Sequence, residues 1–290
     1  MTVRHLLAAA LCASAAVPVC AQDITAQALL DKNLQARGGA QALAAIQSVR
    51  FDGKIIFPGD FELTYDEVRA RGGATGSESR LDASIQGLTV VQAYDGSVGW
   101  KINPFQGRKD PERMSGDEAR SMADSSLIDG VLQAAREDGS TVTYLGREDF
   151  DGTPAYKLKV VQKDGDEFTY LLDPDTFLEI KMTETRRIRG APKTTETELG
   201  DYEKVGGVYF PMSVDSWDQG QSNQRTRIIV DKATANPPVT PAMFAEPSGA
   251  AQPAKAGGPP PDASNKPAAK SKADQPPEKP ENPSKPSKGE

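Results

Sequence analysis

Residues 88–103 read LTVVQAYDGSVGWKIN, and this stretch predicts the β-hairpin that decides the fold class. Asp95-Gly96 is a turn signal, because the central residues of a tight turn need positive φ, which Gly tolerates freely and Asp at low cost. Apolar and polar residues alternate on both sides of the turn, as in half-buried antiparallel strands. We expect Tyr94 and Trp100 to lie side by side on one apolar surface, where aromatic side chains bury a large area.

The same two-residue period runs through most of the chain. Before the hairpin it predicts three strands with one apolar face each, at residues 48–57, 61–66 and 77–85. After residue 140 it predicts seven more, at residues 141–147, 155–162, 167–172, 177–189, 194–202, 208–217 and 225–233. Short turns rich in Gly, Asp and Pro separate these strands. About twelve short strands joined in this way indicate a mainly β protein whose antiparallel sheet curls toward a barrel.

Three segments have helical periodicity instead. Residues 24–37 form an apolar stripe that stops at Gly38-Gly39, and residues 40–46 form a second, short helix. Residues 115–137 are predicted as one long amphipathic helix, because Ser115 and Glu118 fit a capping box ahead of a broad apolar side. We expect these helices to cover the concave apolar face of the sheet.

Residues 1–21 have the pattern of a secretory signal peptide that is cleaved after Ala21, which predicts a periplasmic protein. Both cysteines, Cys12 and Cys20, and the single histidine, His5, lie in this segment. The mature chain would therefore have no Ser-His-Asp or Cys-His nucleophilic site and no His/Cys zinc site. An alternative is that Cys20 is a lipid-attachment cysteine that tethers the protein to a membrane.

Residues 248–290 change abruptly to Pro, Ala, Lys, Ser and Gly and are predicted to be a disordered tail. Residues 22–247 would then form a single domain. The chain has a net charge of −7, and the tail is mildly basic, so the domain is strongly acidic. An acidic domain is a poor partner for nucleic acid.

Two pairs of carboxylates are the candidates for catalytic groups. Asp173 and Asp175 flank a proline between two strands and are expected to be turn residues. The second pair lies on a polar hairpin, for which we expect exposed cross-strand ion pairs or a docking surface for an envelope protein. This hairpin set is Arg186, Arg187, Arg189, Glu196 and Glu198. We predict no catalytic residue, no metal site and no cofactor; a hydrolase that uses only carboxylates is a distant alternative.

The remaining candidate site is the concave apolar face itself. Its aromatic residues could be ordinary core, but few helical residues are available to fill a large curved sheet, and such sheets enclose apolar cavities. This predicts a ligand of lipid size. The predicted lining is Phe51, Ile55, Phe57, Phe61, Leu63, Tyr65, Leu81, Val90, Tyr94, Trp100, Leu127, Ile128 and Val131.

Short motifs along residues 26–247 also carry a family resemblance. They are Ala36-Arg37-Gly38-Gly39, Ile46 with Ser48-Val49-Arg50, Tyr94-Asp95-Gly96 with Gly99-Trp100, Gly146, Tyr156-Lys157-Leu158, Leu172-Asp173-Pro174, Tyr202 with Gly206-Gly207-Val208-Tyr209-Phe210-Pro211, and Asn236-Pro237 with Phe244 and Pro247. In this order they resemble outer-membrane lipoprotein-sorting proteins of the LolA/LolB-like superfamily.

The resemblance implies an incomplete antiparallel β-barrel of about eleven strands, with helices closing an apolar concavity that receives the acyl chains of lipoproteins in the periplasm. It offers Arg50 as a position for the arginine that anchors the helical lid. The expected function is that of a non-enzymatic carrier or binder of lipid acyl chains in lipoprotein sorting to the outer membrane. The alternative is an envelope interaction or regulatory module that uses the same fold without a transported lipid.

Overall fold

The fold is one antiparallel sheet of 13 strands, described for residues 24–247 in a computed structural model. The predicted signal peptide and tail lie outside the described residues. The strands are β1 (Ser48–Phe57), β2 (Phe61–Ala70), β3 (Glu78–Ile85), β4 (Leu88–Tyr94), β5 (Gly99–Ile102), β6 (Glu112–Arg113), β7 (Thr141–Phe150), β8 (Thr153–Val161), β9 (Glu167–Leu172), β10 (Glu179–Ile188), β11 (Ala191–Val205), β12 (Val208–Asp218) and β13 (Thr226–Ala235).

The strand order is β6-β5-β4-β3-β2-β1-β13-β12-β11-β10-β9-β8-β7. Almost every strand therefore pairs with its sequence neighbour; the pairing of β1 with β13 joins the two halves of the sheet. Strands β6 and β7 remain as edges, so the sheet is an open barrel, which confirms the predicted fold class. The structure has two strands more than the resemblance implied. The strand that periodicity missed is β6, since two residues are too short to show a pattern.

Within residues 24–247, four α-helices accompany the sheet: α1 (Ala26–Ala36), α2 (Ala40–Ala45), α3 (Gly116–Ser125) and α4 (Gly130–Ala134). Helix α1 stops at Gly38, whose φ of 123° excludes other residues and whose added Cβ would overlap the Gly207 carbonyl. The predicted capping box of Ser115 and Glu118 is confirmed at the start of α3.

The prediction of one continuous helix over residues 115–137 was wrong. The helix breaks after α3, where the Ser126 hydroxyl donates to the carbonyls of Met122 and Ala123 at 2.7 and 2.8 Å. Gly130 then has a φ of 73°, which is outside the helical region, so α4 starts anew. The break separates a polar helix from a short apolar one.

Helices α1, α2 and α4 pack on the concave face of the sheet and form the main core together with its strands. Leu29 of α1 and Leu132 of α4 contact the buried residues of β8 and β9, among them Leu158 and Leu172. Helix α2 contributes Leu43 to a second cluster over β1 and β12. Helices α1 and α4 thus cover one half of the concave face, and α2 covers the other half. Helix α3 lies between these helices and the edge of the sheet.

The segment after β13 crosses the convex face. Phe244 is fully buried there against Val68 and Ala70 of β2. The Trp100 indole Nε1 donates to the Phe244 carbonyl at 2.7 Å, so Trp100 belongs to the convex face as well. The C-terminal part of the described chain therefore covers the outer surface of β2 to β5.

The expectation that Trp100 and Tyr94 share one surface was therefore wrong. Trp100 pairs with Ala93, whereas Tyr94 pairs with Gly99, and side chains on successive strand residues point to opposite faces. The turn is also shifted by one residue, because the Asp95 amide donates to the Val98 carbonyl. Tyr94 packs on the concave side below α3.

Candidate functional site

A cavity of about 390 Å³ lies between α3, α4 and the concave side of β9 to β12. This volume falls in the range of about 300–1,000 Å³ that is typical of small-ligand pockets. Its apolar lining is formed by Leu127, Val131, Met182, Leu199, Phe210 and Val214. Leu199 and Val214 are paired directly across β11 and β12 and are only half-buried, so they face open space rather than a packed core.

The segment between α3 and α4 closes one side of the cavity and is tethered by two arginines. Arg71 makes a bidentate ion pair with Asp129, with both N–O distances at 2.6 Å. The hydrogen bonds that Arg71 donates to the Asp129 carboxylate raise the pKa of Arg71 above its usual value. Arg37, which follows α1, donates to the backbone carbonyls of Ile128, at 3.1 Å, and Asp129. These contacts fix the inter-helix segment to the sheet and to α1.

Arg50 does not have the anchoring position that the resemblance offered. It lies on β1 beside Asp52 and Asp66, and its register partners are Val68 and Thr234, which places it on the convex face. Arg37 and Arg71 are the arginines that bind the inter-helix segment.

Helix α3 is tied to the sheet by Arg186, which is only 5% exposed. Its guanidinium contacts Asp124 of α3 at 2.7 Å, Asp166 at 2.5 Å, and Glu184. Asp166 is as deeply buried as Arg186. The buried Arg186 guanidinium therefore holds three carboxylates together beside the cavity.

A second polar group lies among the apolar lining residues. The Tyr202 hydroxyl donates to the Glu179 backbone carbonyl at 2.8 Å. Burial, and then the negative charge of Glu179, raise the pKa values of Tyr170 and Tyr202, so both tyrosines stay neutral. Arg37, Glu179, Tyr170 and Tyr202 all line the cavity. We call these four residues the polar cluster.

Two of the thirteen residues that were predicted to bind a ligand line the cavity, namely Leu127 and Val131. The others lie elsewhere. Phe51, Tyr65 and Ile128 are core residues that pack with α2, with Ile55 and Leu81 beside them. Leu63 is buried, Val90 is half-buried, and Tyr94 and Trp100 lie on opposite faces. The binding role of all these residues stays a prediction.

Phe57 and Phe61 lie at the end of β1 and the start of β2, outside the cavity. Phe61 contacts Phe57 and Phe105, with ring centroids 6.3 and 6.4 Å apart. Phe61 and Phe105 are 46% and 45% exposed, and Leu88 at the start of β4 is also exposed. We call Phe57, Phe61, Leu88 and Phe105 the apolar rim.

The hairpin of β10 and β11 forms one cross-strand ion pair, between Lys181 and Glu196 at 2.8 Å, but none that joins the arginines and the glutamates of the hairpin set. Arg186 stands opposite Lys193, and Glu196 stands opposite Thr183, so the expected partners are out of register. Arg186 is buried in its carboxylate cluster, which corrects the expectation that it is exposed. The other residues of the hairpin set lie nearer the surface: Glu196 pairs with Lys181, Glu198 pairs with Arg225, Arg187 is exposed, and the Arg189 amide donates to Asp117.

The remaining carboxylate prediction is confirmed. The Asp173 Oδ1 accepts from the amides of Asp175 and Thr176 at 3.1 and 2.7 Å, as expected for a turn residue. Among residues 24–247, no group of three His, Cys, Asp or Glu residues is arranged to hold a metal ion. None of the described helices has the length and apolar character needed to cross a membrane.

The sequence matches no family model and no curated protein. The fold, in contrast, is similar to solved structures. A DUF1329 family protein from Desulfovibrio piger superposes with a TM-score of 0.53 at 13% identity, over 76% of this chain and 97% of the other. A LolA superfamily protein from Nitrosomonas europaea gives a TM-score of 0.50 at 15% identity, over 77% and 98%. A proposed outer membrane lipoprotein-sorting protein domain from Vibrio parahaemolyticus gives 0.50 at 12% identity, over 74% and 97%.

These comparisons define the class of fold: an open β-barrel whose concave face is covered by helices. At this level of identity the similarity concerns the fold alone. The resemblance to LolA superfamily and lipoprotein-sorting structures that the sequence motifs indicated is thereby confirmed for the architecture.

Proposed function

We propose that the protein is a periplasmic, non-enzymatic binder of lipid acyl chains that acts in lipoprotein sorting to the outer membrane. The observation that carries this proposal is the apolar cavity under α3 and α4, whose half-buried lining residues Met182, Leu199 and Val214 are left free to contact a ligand. The similarity in fold to a lipoprotein-sorting domain supports the same proposed function. The proposal includes export through residues 1–21, a binding domain at 22–247 and a C-terminal tail at 248–290 that lies outside the described residues.

The binding step follows from the way in which the helices are held. The inter-helix segment is attached by Arg37 and Arg71, and α3 is attached by Arg186. The Arg71–Asp129 ion pair is partly exposed and can exchange with water at a small net cost, whereas Arg37 and Arg186 are buried, so their contacts are costly to break. Each methylene group that enters the cavity contributes about 0.8 kcal/mol. Movement of the inter-helix segment therefore becomes favourable once part of an acyl chain is buried, whereas displacing α3 requires the burial of several methylene groups.

The size of the cavity limits what it holds in this conformation. A volume of about 390 Å³ is at the lower end of small-ligand pockets, which suits a single chain. A lipoprotein with several acyl chains would need further movement of the helices. We therefore expect this conformation to be closed and ligand binding to open it.

The test is native mass spectrometry and lipid extraction on protein purified from a bacterial periplasm. Leu199→Trp fills the cavity from β11, and Leu145→Trp, at an exposed position on the edge strand β7, is the matched control. We expect the parent and the control to carry acylated lipid and Leu199→Trp to carry much less while remaining folded. Equal lipid in all three proteins, or none in any after added lipid, contradicts the proposal.

A second candidate function is that of an envelope interaction module without a transported lipid. The apolar rim favours it, because exposed Phe61 and Phe105 side chains in contact with each other are typical of a binding surface. Replacing both by Ser should abolish capture of an envelope protein and leave lipid content unchanged. Loss of lipid without loss of a partner would exclude this candidate.

A further inference from the structure

The charged residues that line the cavity are not all neutralised. Arg69 forms an ion pair with Glu67, and Arg186 forms ion pairs with Asp124 and Glu184. Only Arg37 and Glu179, of the six charged residues in the lining, lack an oppositely charged side chain within 4 Å among the described residues. They are 7% and 8% exposed, so water does little to solvate them. Buried charges are normally paired, because leaving one unpaired is costly.

Both charges line the same cavity, together with Tyr170 and Tyr202. Glu179 and Arg37 each act on the hydroxyls of Tyr170 and Tyr202, the first raising and the second lowering their pKa values. The Tyr170 hydroxyl makes no hydrogen bond within the described residues, although the residue is only 4% exposed. The Glu179 carboxylate has one long contact, 3.4 Å to the Tyr202 hydroxyl. The polar cluster thus contains an unpaired cation, an unpaired anion and a free hydroxyl.

The chemistry of these groups defines a complementary ligand. Arg37 uses two of its five N–H donors on backbone carbonyls, which leaves donors for an anionic oxygen, and guanidinium is well suited to phosphate. Glu179 accepts hydrogen bonds only, so it suits an ammonium group. An anion and a cation joined by a short linker match both residues.

We propose that the polar cluster binds a zwitterionic head group, with the phosphate at Arg37 and the ammonium at Glu179, while the acyl chain fills the apolar part of the cavity. This rests on the proposed lipid-binding function and names its ligand class: a single-chain amphiphile with a zwitterionic phosphate–ammonium head group. One chain and a small head group are consistent with a cavity of about 390 Å³.

The experiment compares three probes of equal chain length on delipidated protein by calorimetry, at concentrations below micelle formation. The probes are lysophosphatidylethanolamine, which is zwitterionic, lysophosphatidylglycerol, which is anionic, and a neutral monoacylglycerol. We expect the zwitterionic probe to bind at least about tenfold more tightly than the other two. Glu179→Gln should remove that preference by weakening the zwitterionic probe alone. Glu203→Gln, at an exposed position on β11, is the matched control and should change nothing.

Tyr170→Phe is a second variant, because it removes a hydroxyl that bonds no described residue and so leaves the fold intact. It should weaken the zwitterionic probe by a few-fold. Equal affinity for all three probes, or an unchanged preference in Glu179→Gln, overturns this inference and leaves the proposed function standing. Failure of every probe to bind overturns both.

Discussion

Arg186→Met provides a demanding test of how α3 is held over the cavity. Arg186 is 5% exposed and contacts Asp124, Asp166 and Glu184, whose side chains are 17%, 4% and 20% exposed. Methionine retains most of the apolar stem over the Phe168 ring but leaves three carboxylates close together without their cation. Removing one partner of a buried ion pair costs about 3–5 kcal/mol. We expect a loss of this size, since Asp166 is almost fully buried.

Urea unfolding followed by circular dichroism measures this loss as a lower midpoint with an unchanged slope. Arg187→Met is the matched control, because Arg187 is the next residue of β10 and is exposed. Its free energy of unfolding should change by no more than about 0.5 kcal/mol. Adding Asp124→Asn to Arg186→Met should restore part of the stability, because one repelling charge is removed. A loss below about 1 kcal/mol in Arg186→Met would refute the view that this cluster fixes α3.

Three further predictions address the inter-helix segment, the buried Tyr170 and the end of α1. Asp129→Asn breaks the ion pair with Arg71, and this partly exposed pair is worth about 1 kcal/mol. Amide hydrogen exchange in α4 should therefore become several-fold faster, while the amides of β8 stay protected. Because burial raises the pKa of Tyr170 in the folded protein, this tyrosine ionises first in the unfolded chain, so the free energy of unfolding falls as the pH rises above 10. Between pH 10 and 11, the free energy of unfolding of Tyr170→Phe should therefore fall by about 1 kcal/mol less than that of the wild type. An equal fall in both proteins would contradict this. Gly38→Ala should cost roughly 2–5 kcal/mol in thermal unfolding, whereas Gly59→Ala, in an open turn, should cost about 1 kcal/mol.

The strands could be predicted well from the sequence because their pattern is local. Alternation of apolar and polar residues gave twelve of the thirteen strands, and the capping box located the start of α3. The helix break could not be predicted from the apolar stripe. It depends on the positive φ of Gly130 and on side-chain bonds of Ser126, which disrupt a helix that the pattern alone would continue.

The position of the cavity could not be predicted by the same reasoning. Its walls include Glu184, Arg186, Thr195 and Thr197, and a polar alternation of this kind is typical of an exposed face. These residues are covered because α3, more than fifty residues earlier in the chain, supplies Asp124 to the buried cluster. Long-range pairing of charges leaves no periodic signal in the sequence. The aromatic residues of β1 to β5, whose pattern predicts a ligand site, are mostly packed core or rim.

The central claim is that an acyl chain binds under α3 and α4, and photoaffinity labelling tests it most directly. A monoacylglycerol with a diazirine on its chain would be bound, irradiated and mapped by peptide mass spectrometry. The account predicts adducts on Leu127, Met182, Leu199 and Val214, and their loss in Leu199→Trp. Adducts confined to the apolar rim, or labelling that Leu199→Trp leaves unchanged, would contradict it.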